Sequence, residues 1–453
     1  MMIEENEVIY SKIDMKFIDT IRLNGIVGAG GAGFPTYVKL NKNIDTVIVN
    51  GAECEPLLLN DKYLLKFFSE KIIKGLQYII NATNAKKGYI VFKKKYSVEM
   101  QDLINLAQKI DGIEIVMIND FYPAGDETIL VYEVTGRLIP EGGLPLDVGC
   151  VVNNVETVLN IYEAIVNNKP VTKRYITCTG EVKNPSIVHA HIGTTIGEII
   201  DNCGGALVDE FSVVIGGPMM GYIENDLSTP VTKITNSIIV LPNGHKLITE
   251  KTKPIEYMVK MSKSVCTQCT ECTNLCPRYL IGYDLKPHLI MRQINYGLYF
   301  PQLIIENAFL CSECGLCEYA CAMGLSPRIV IKEIKKELKV QGFSPSFQNV
   351  NRPVRDIREY RKVPTSRLIN RLHLAKYADY VTNNLIQTNP DRVEIMLKQH
   401  IGEPSYAIVQ VGDMVKEGSL IAKIPDGAIG SNIHASISGK VLIADKDRII
   451  IER

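Results

Sequence analysis

The chain of 453 residues contains 50 lysines and arginines against 50 aspartates and glutamates, so its formal net charge at pH 7 is zero. This balance excludes a general electrostatic attraction to nucleic acid or to anionic lipid. With 46% hydrophobic and 22% charged residues, the composition is typical of a globular protein of about three domains.

The chain contains no apolar run of about 18 residues, which predicts that it has no transmembrane helix. Its first residues, MMIEENEVIYSK, are acidic and lack the apolar centre of a signal peptide. We therefore expect a cytoplasmic protein in a reducing compartment, where disulfides are rare. The 12 cysteines then need another explanation, and metal binding is the first candidate.

Residues 15–165 alternate between strand and helix patterns, which predicts an α/β layer. The β-branched run DTVIVNGAE (45–53) predicts a buried strand. One helix is expected over 60–83, with Asn60 as its N-cap. A strand at 88–95, a helix at 97–110 and a strand at 113–118 follow.

A glycine-rich stretch, GAGGAGFP, begins at Gly28 and places Gly28, Gly30 and Gly33 in the pattern G-x-G-x-x-G. Glu53 lies at the distance where a dinucleotide-binding fold places an acidic residue. The preceding residues RLNGIVG, however, make a poor strand, and Phe34 and Pro35 follow at once. The pattern therefore favours a phosphate or flavin cradle in a different fold, with a purely structural turn as the alternative.

The rest of the chain divides by pattern. Residues 172–245 predict a small α+β module, residues 255–340 predict helices around cysteine-rich runs, and residues 341–390 predict a linker with some helix. Residues 391–453 contain short strands separated by Gly-Asp, Pro-Asp-Gly and Ser-Gly turns, which is typical of an all-β unit.

Eight of the 12 cysteines form two runs of the form C-x2-C-x2-C-x3-C. In two-cluster ferredoxins the fourth cysteine of each run binds the other cluster. The first cluster is then expected on Cys266, Cys269, Cys272 and Cys321, and the second on Cys311, Cys314, Cys317 and Cys276. Zinc sites usually combine two separate C-x2-C ligand pairs, so zinc is the weaker alternative. Ala322 replaces the proline that usually follows the fourth cysteine, which we interpret as a minor departure.

Three separated motifs, GAGGAGFPTYVKL, VNGAECEP and VVNNVET, resemble the FMN-carrying subunit of respiratory complex I, and YPAGDET resembles a fourth motif of that family. The resemblance implies FMN that is reduced by NADH. It assigns the flavin or its phosphate to Gly28, Gly30, Gly31, Gly33 and Lys39. It places Asn50, Glu53 and Glu55 beside the ring, and Asn153, Asn154 and Thr157 at the ribityl phosphate. Asp126 and Glu127 are expected to contact the nicotinamide nucleotide, and no catalytic acid or base is assigned.

The chain differs from that family at positions that affect how the nicotinamide nucleotide would bind more than how FMN would bind. Ala29 stands where the family has arginine, Ala52 where it has aspartate, and Cys54 and Leu57 where it has glycines. We interpret Cys54 as a packing residue, with a position near the flavin as the alternative.

The flanking modules resemble further parts of the same superfamily. Residues 171–250 are similar to the soluble-ligand-binding β-grasp (SLBB) module, and residues 391–453 to a lipoyl-like barrel-sandwich hybrid. The hairpin tip PDGAIGSN has no lysine for a lipoyl or biotinyl group, so a docking or structural unit is expected. The remaining ranges are an FMN- and NADH-binding domain at 15–170, a domain for two [4Fe–4S] clusters at 255–340 and a linker at 341–390. The chain is therefore predicted to be a multidomain α/β protein.

In the Rnf complex C subunit, the sandwich precedes the clusters, whereas here it follows them. This order resembles the cobalamin reductases of propanediol-utilisation microcompartments. The resemblance implies an NADH-oxidising flavo-iron–sulfur protein that passes single electrons to a corrinoid, alone or with a corrinoid-handling adenosyltransferase. It implies a location in the cytoplasm or inside a microcompartment. The alternatives are an electron-input component of a Rnf-like complex, attached to a membrane only through partners, and a non-enzymatic scaffold.

Overall fold

The computed structural model describes residues 14–42, 44–296, 302–347, 352–378, 380 and 384–453. The N-terminal residues that are expected to lack a signal peptide lie outside the described residues, as do residues 348–351, 379 and 381–383 of the predicted linker. The described strands form four sheets, one of four parallel strands, one mixed sheet of six, and two antiparallel sheets of four and three. No helix among these described residues is long and apolar enough to cross a membrane.

The first domain is built on a parallel sheet with the strand order β3-β2-β1-β4. Its strands are β1 (Thr46–Gly51), β2 (Lys87–Lys93), β3 (Ile113–Ile118) and β4 (Cys150–Asn154). Its helices are α1 (Met15–Leu23), α2 (Thr36–Leu40), α3 (Asn60–Phe67), α4 (Ser69–Thr83), α5 (Gln101–Ala107), α6 (Glu127–Thr135) and α7 (Val155–Asn167). Short 3-10 helices span Lys94–Tyr96 and Pro145–Val148.

The central strands of this sheet end side by side, because β1 and β4 are parallel neighbours with Asn50 in register with Asn154. The carboxyl edge of a parallel sheet is where such folds place ligands. The predicted motifs VNGAECEP and VVNNVET both begin at this edge, so the fold brings them together.

The helix predicted over 60–83 is two helices that meet at Phe68, whose backbone leaves the helical region with φ −124°. The ring of Phe68 packs edge-on against Tyr175 of the second domain, with centroids 5.8 Å apart. Asn60 is not the N-cap, because Leu59 holds that position. Among the described residues, no side chain caps α3. Instead, Thr177 of the second domain accepts from the Leu59 amide at 3.1 Å and donates to Asn60 Oδ1 at 3.4 Å, so the Asn60 side chain contacts the neighbouring domain.

The second domain contains the six-stranded sheet, with the order β10-β6-β5-β9-β7-β8. Its elements are β5 (Lys173–Gly180), β6 (Ser186–His191), α8 (Ile196–Asn202), β7 (Phe211–Ile215), β8 (Tyr222–Glu224), β9 (Ser237–Pro242), α9 (Lys246–Lys251) and β10 (Leu385–Gln387). Strand β10 comes from the stretch that was predicted as a linker, and it pairs in parallel with β6.

The cysteine-rich segment is helical and packs on the first sheet. Its helices are α10 (Ile255–Val265), α11 (Glu271–Asn274), α12 (Pro277–Leu280), α13 (Pro287–Tyr296), α14 (Gln302–Glu306), α15 (Leu316–Ala320) and α16 (Pro327–Val340), with a 3-10 helix at Asn307–Leu310. Ile48, Val91 and Val152 of the sheet share one core with Ile281 and Leu285. The neighbours Val47, Val49 and Ile90 face a second core with α4 and α7, so the sheet is covered on both faces.

A segment with several arginines then returns across the molecule through a 3-10 helix at Asp356–Arg361, helix α17 (Thr365–Arg371) and a 3-10 helix at Ala375–Tyr377. Arg358 is paired with Glu133 of α6, and Arg361 with Glu271 of α11 at 3.3 Å. This segment therefore contacts both the first domain and the cysteine-rich domain.

The C-terminal domain consists of strands β11 (Arg392–Met396), β12 (Tyr406–Ala407), β13 (Met414–Val415), β14 (Leu420–Lys423), β15 (Ile433–His434), β16 (Gly439–Ala444) and β17 (Arg448–Glu452). They form two sheets with the orders β11-β17-β16-β13 and β12-β14-β15. Buried Ile395 and Ile421 belong to the same core as Ile21 and Ile26 of the first domain. The sandwich is therefore packed onto the flavin-type domain rather than tethered to it.

Candidate functional site

The glycine loop (residues 28–33) forms a tight turn before α2. The Gly28 amide donates to the Phe34 carbonyl at 2.8 Å, and the Gly33 amide to the Gly28 carbonyl at 3.2 Å. Within the part of the chain that the structure describes, the amides of Gly30, Gly31 and Ala32 have no hydrogen-bond acceptor. A Cβ on Gly31, where φ is +102°, would meet no atom within 4 Å. The loop therefore points free amide donors into open space, which suits an anion such as a flavin phosphate.

The junction of β4 and α7 lies beside the glycine loop. A Cβ on Gly30 would be 3.7 Å from Asn154 Cβ. The buried Asn153 Nδ2 has no hydrogen-bond partner among the described residues, which leaves an amide donor available to a bound group. Thr157 Oγ1 instead accepts from the Ala29 amide at 2.9 Å, so this predicted ligand residue holds the loop.

Asn154 also has a structural task. Its Oδ1 caps α7 by accepting from the Glu156 amide at 2.9 Å, and its Nδ2 donates to both carboxylate oxygens of Asp61, at 2.9 and 3.1 Å. Asn154 therefore lies beside the loop, while its polar atoms are occupied. Among the asparagines of VVNNVET, Asn153 is the one with a free donor.

Lys39, Glu127 and Asp126 lie near the same edge. Lys39 Nζ pairs with Glu127 Oε1 at 2.8 Å and approaches the Val152 carbonyl at 3.4 Å. Asp126 caps α6 through the Thr128 amide at 3.0 Å, and it pairs with Arg278 Nη2 at 2.9 Å. Because its oxygens already have these partners, Asp126 is less available to a nucleotide than Glu127, which is about half exposed. Both nucleotide contacts remain predictions.

The end of β1 carries Asn50, Glu53 and Cys54. Asn50 Nδ2 donates to the Gly125 carbonyl at 2.9 Å, which joins this motif to YPAGDET. Burial raises the pKa of Glu53 to about 8, and the negative charge of Asp61 adds to that shift. Burial also raises the pKa of the Cys54 thiol above its ordinary value, which keeps the thiol protonated and fits a packing role.

Glu55 connects this motif to two other domains. It accepts from the Met219 and Met220 amides at 2.8 and 2.9 Å, in the turn that follows β7. The Tyr122 hydroxyl lies 3.4 Å from Glu55 Oε1 and donates to the Cys314 carbonyl at 2.7 Å. One buried phenol thus lies between a residue predicted to flank the flavin and the second cysteine run.

The cysteines of the two runs interleave. Burial raises the pKa of Cys272 to about 12, and the thiols that contribute next are Cys321, Cys266 and Cys269. Burial likewise raises the pKa of Cys276 to about 12, and a further contribution comes from Cys311. For Cys317, burial and Glu318 act first in raising the pKa, and Cys311, Cys314 and Cys276 follow. Cys276 therefore lies close to Cys311, Cys314 and Cys317, and Cys321 lies close to Cys272.

All 12 cysteines are free thiols, so none of them forms a disulfide. Among residues 14–42, 44–296, 302–347, 352–378, 380 and 384–453, no three or more His, Cys, Asp or Glu side chains are grouped so that they could hold a metal ion.

The predicted ligands of the first cluster differ from those of the second in exposure and in their hydrogen-bond donors. Cys269, predicted for the first cluster, is exposed, whereas Cys276, Cys314 and Cys317, predicted for the second, are buried. The Glu313 amide donates to Cys311 Sγ at 3.3 Å, and the Leu325 amide to Cys321 Sγ at 3.4 Å. Donors to sulfur and solvent exposure are the features by which a protein sets the potential of an iron–sulfur cluster.

Comparison with known proteins agrees with this geometry. Residues 21–163 match the Nuo51 FMN-binding domain, residues 265–326 a 4Fe-4S dicluster domain, residues 175–223 the SLBB domain and residues 372–450 the RnfC barrel sandwich hybrid domain. The chain is 40% identical over 438 residues to cobalamin reductase PduS of Citrobacter freundii and of Salmonella typhimurium, and the match covers 96% of both chains in each case.

The chain belongs to the PduS family. Membership confirms the predicted fold class, an oxidoreductase, and the FMN and iron–sulfur cofactors. A shorter similarity extends to the C subunit of the Na⁺-translocating ferredoxin:NAD⁺ oxidoreductase complex of Acetobacterium woodii, at 36% identity over 274 residues and 59% of each chain. The PduS family thus combines an FMN domain with an iron–sulfur domain, and the chain is a flavo-iron–sulfur electron-transfer protein.

Several residues of the site were not found from the sequence. Arg174 and Glu156 form a buried ion pair behind the glycine loop, with 3.2 Å between Nη1 and Oε2. Arg278 contacts Thr128 as well as Asp126. Arg278 directly follows the Cys-Pro of the first run, which is a signal that could have pointed to it, whereas nothing in the local sequence around Arg174 indicates a contact with residue 29.

Proposed function

We propose that the protein oxidises NADH and delivers single electrons to a corrinoid, reducing cob(III)alamin to cob(II)alamin. The observation that carries this proposal is the 40% identity to cobalamin reductase PduS over 96% of both chains. The similarity extends across every domain, so it covers the electron donor's side and the acceptor's side alike. It is therefore stronger support than the FMN domain or the cysteine motifs would be alone.

The residues around the glycine loop fit FMN. The free amides of Gly30 and Gly31 and the unpartnered Asn153 Nδ2 would hold its phosphate and polar atoms. Lys39, only partly buried, supplies a positive charge nearby. When bound, FMN exchanges electrons with a nicotinamide in pairs and with iron–sulfur centres singly. Glu127 and, to a lesser extent, Asp126 are the proposed contacts of the NADH ribose.

The interleaved cysteines fit two [4Fe–4S] clusters with crossed ligation. Cys266, Cys269, Cys272 and Cys321 would hold the first, and Cys311, Cys314, Cys317 and Cys276 the second. The thiols that raise the pKa values of Cys272 and Cys317 support this division. In addition, the Tyr122 hydroxyl bonds the second run to the flavin-side motif, which supports a short path between them.

The proposed setting is the cytoplasm or the interior of a bacterial microcompartment. Support for it comes from the similarity to PduS over nearly the whole chain. The proposed partners are the corrinoid itself or a protein that handles it, such as an adenosyltransferase.

An anaerobic acceptor assay tests the proposal. Protein that contains FMN and iron is mixed with NADH or NADPH, and then with cob(III)alamin, ferredoxin or a quinone. We expect NADH to bleach the flavin absorbance and cob(II)alamin to form at about two per NADH, because a hydride carries two electrons and each cobalt takes one. Flavin that is bleached by NADH, followed by no reduction of cobalt, would contradict the corrinoid as acceptor.

A second candidate function is electron input to a Rnf-like complex, favoured by the 36% identity to the Rnf-type protein from Acetobacterium woodii. The same assay separates the candidates. Fast transfer to or from ferredoxin, with slow or absent cobalt reduction, would support the Rnf-like function and disfavour the first.

A further inference from the structure

The glycine loop is held by residues of the second domain as well as of the first. Arg174 lies on β5 and is almost completely buried. Its Nη2 donates to the Ala29 carbonyl at 2.9 Å, and its Nε donates to the Thr235 carbonyl at 3.1 Å. The Ala29 amide at the same residue donates to Thr157 Oγ1, so both polar backbone groups of Ala29 are fixed.

The charge of Arg174 is balanced by Glu156, which is equally buried. Glu156 Oε1 accepts from the Tyr175 amide at 3.1 Å. Glu156 lies between Asn154 and Thr157, so the ion pair joins the β4–α7 junction to β5. A buried pair of this kind contributes little net stability, but it fixes the groups that surround it.

The other end of the loop is held by the C-terminal sandwich. The Ile401 amide donates to the Gly33 carbonyl at 3.0 Å. Gly33 has φ +68°, and a Cβ there would lie 2.8 Å from Ile234 Cγ2 and 3.2 Å from His400 Cα. Only glycine fits this close approach to the second domain and the sandwich.

These contacts leave the loop's carbonyls at residues 29 and 33 occupied and the amides of residues 30–32 free. A loop that is fixed in this way loses little conformational entropy when an anion binds to its amides. We propose that Arg174 is a positioning residue for FMN, and that the second domain and the sandwich are structural parts of the flavin site. The sandwich, which lacks the lysine of a carrier domain, would thus serve to hold the glycine loop.

The proposal rests on the assignment of FMN to the glycine loop, and it is tested by FMN affinity rather than by turnover. The main variant combines Arg174→Met with Glu156→Gln, because Arg174→Met alone would leave a buried, unpaired carboxylate. The matched control is Arg448→Met with Glu394→Gln, a partly exposed Arg–Glu pair of the sandwich with 2.8 Å between its charged atoms. Each protein is freed of FMN and titrated anaerobically with FMN, with flavin fluorescence as the readout.

We expect the Arg174/Glu156 variant to bind FMN about 10- to 100-fold more weakly, with iron content and circular dichroism unchanged, and the control pair to match the wild type. Affinity within about twofold of the wild type in a variant that keeps its iron would overturn the proposal. If the double variant does not fold, Arg174→Lys decides. It keeps the charge but cannot donate to Ala29, Thr235 and Glu156 at once, so weaker FMN binding supports the proposal and unchanged binding refutes it. Failure of the wild type itself to bind FMN would instead contradict the proposed function.

Discussion

Tyr122 shows how one side chain can join two sites. It is buried, its hydroxyl donates to the Cys314 carbonyl at 2.7 Å, and Glu55 Oε1 lies 3.4 Å away. Glu55 has its own donors in Met219 and Met220, so it does not depend on the phenol. The bond from the Tyr122 hydroxyl to the Cys314 carbonyl is the shorter of the two. Removal of that hydroxyl is therefore expected to affect the second cysteine run more than Glu55.

Tyr122→Phe is expected to lower the free energy of unfolding by about 1–3 kcal/mol, because a buried carbonyl loses its donor while the ring's packing is kept. Anaerobic urea denaturation of the iron-loaded protein measures this. Tyr360→Phe is the control, since Tyr360 is 88% exposed and its loss should change stability by less than about 0.5 kcal/mol. Equal stability of Tyr122→Phe and the wild type would show that the bond to Cys314 is not significant.

Glu53 gives a prediction for pH dependence. Its pKa in the folded protein is raised from 4.5 to about 8, first by burial and then by the charge of Asp61. Below the pKa that Glu53 has in the unfolded chain, both states hold the proton and the folded state keeps its full stability. As pH rises toward the pKa that Glu53 has in the folded protein, the unfolded chain releases the proton first, so this stability is lost. The free energy of unfolding of the FMN-free protein should therefore fall between about pH 4.5 and about pH 8.

Glu53→Gln, which does not titrate, should remove part of this fall, so the variant gains stability relative to the wild type as pH rises. Chemical denaturation at several pH values measures the effect, and Glu337→Gln, at an exposed position of α16, is the control. A constant difference between Glu53→Gln and the wild type at all pH values would show that Glu53 does not titrate in this range.

The site could be predicted from the sequence only where its residues lie in a local pattern. The glycine loop, Asn153 and the eight cysteines belong to short motifs, and the structure brings each of these groups together at one place. Arg174 and Asp61 belong to no motif, and their contacts with Ala29 and Asn154 join residues that are far apart in the chain. Such partners are set by how domains pack, which a local pattern does not contain.

At the scale of secondary structure, the same limit appears in the helix predicted over 60–83. Its apolar periodicity runs through Phe68 without a break, but the chain leaves the helix there because Phe68 packs against Tyr175. The predicted N-cap at Asn60 was also wrong, because α3 begins at Asn60 itself and the Asn60 side chain accepts from Thr177 of the second domain. By contrast, strands β1 and β3 follow their β-branched runs closely, since burial in a parallel sheet needs only local apolar residues.

The crossed arrangement of the cysteine runs is a property of whole elements. In each run two cysteines precede the helix, α11 or α15, and the third lies within it. The fourth cysteine follows the helix, with Cys321 beside Cys272 and Cys276 beside Cys311. If the eight cysteines ligate two clusters in this way, loss of a fourth cysteine damages the cluster of the other run.

We therefore expect Cys321→Ala and Cys266→Ala to leave the same residual EPR signal after reduction, and Cys276→Ala and Cys311→Ala to leave a different shared one. Iron content should fall from about eight to about four atoms per chain in each variant. Cys203→Ala, outside the runs, is the control and should keep both signals. If Cys321→Ala matched Cys311→Ala instead, each run would hold its own cluster and the crossed assignment would be wrong.

At the scale of the whole molecule, the first, second and C-terminal domains meet at Lys233. This buried residue donates from Nζ to the Gly25 carbonyl at 2.7 Å, to Ser431 Oγ at 3.0 Å and to the Asn432 carbonyl at 2.6 Å. Gly25 has φ +65°, and a Cβ there would lie 2.3 Å from the Asn432 carbonyl oxygen, so only glycine allows this approach. The amino group of Lys233, a residue of the second domain, thus donates to acceptors of the first domain and of the sandwich.

This junction predicts that the three domains unfold together. In the wild type, loss of the sandwich would expose both the shared apolar core around Ile395 and the acceptors of Lys233, so partial unfolding is costly. Lys233→Met keeps the length and apolar stem of the side chain but removes its three donated bonds. We expect it to lower the free energy of unfolding by about 3 kcal/mol, because three buried acceptors lose the donor that they share.

The same variant should separate the sandwich from the rest in calorimetry, as a transition at lower temperature that precedes the main one. Lys440→Met, at an exposed position of β16, is the matched control and should unfold as the wild type does. A single transition at an unchanged temperature in Lys233→Met would mean that the apolar core alone joins the domains. If FMN binds to the glycine loop, which the sandwich holds through Ile401, the early transition should coincide with release of FMN, measured as a rise in flavin fluorescence.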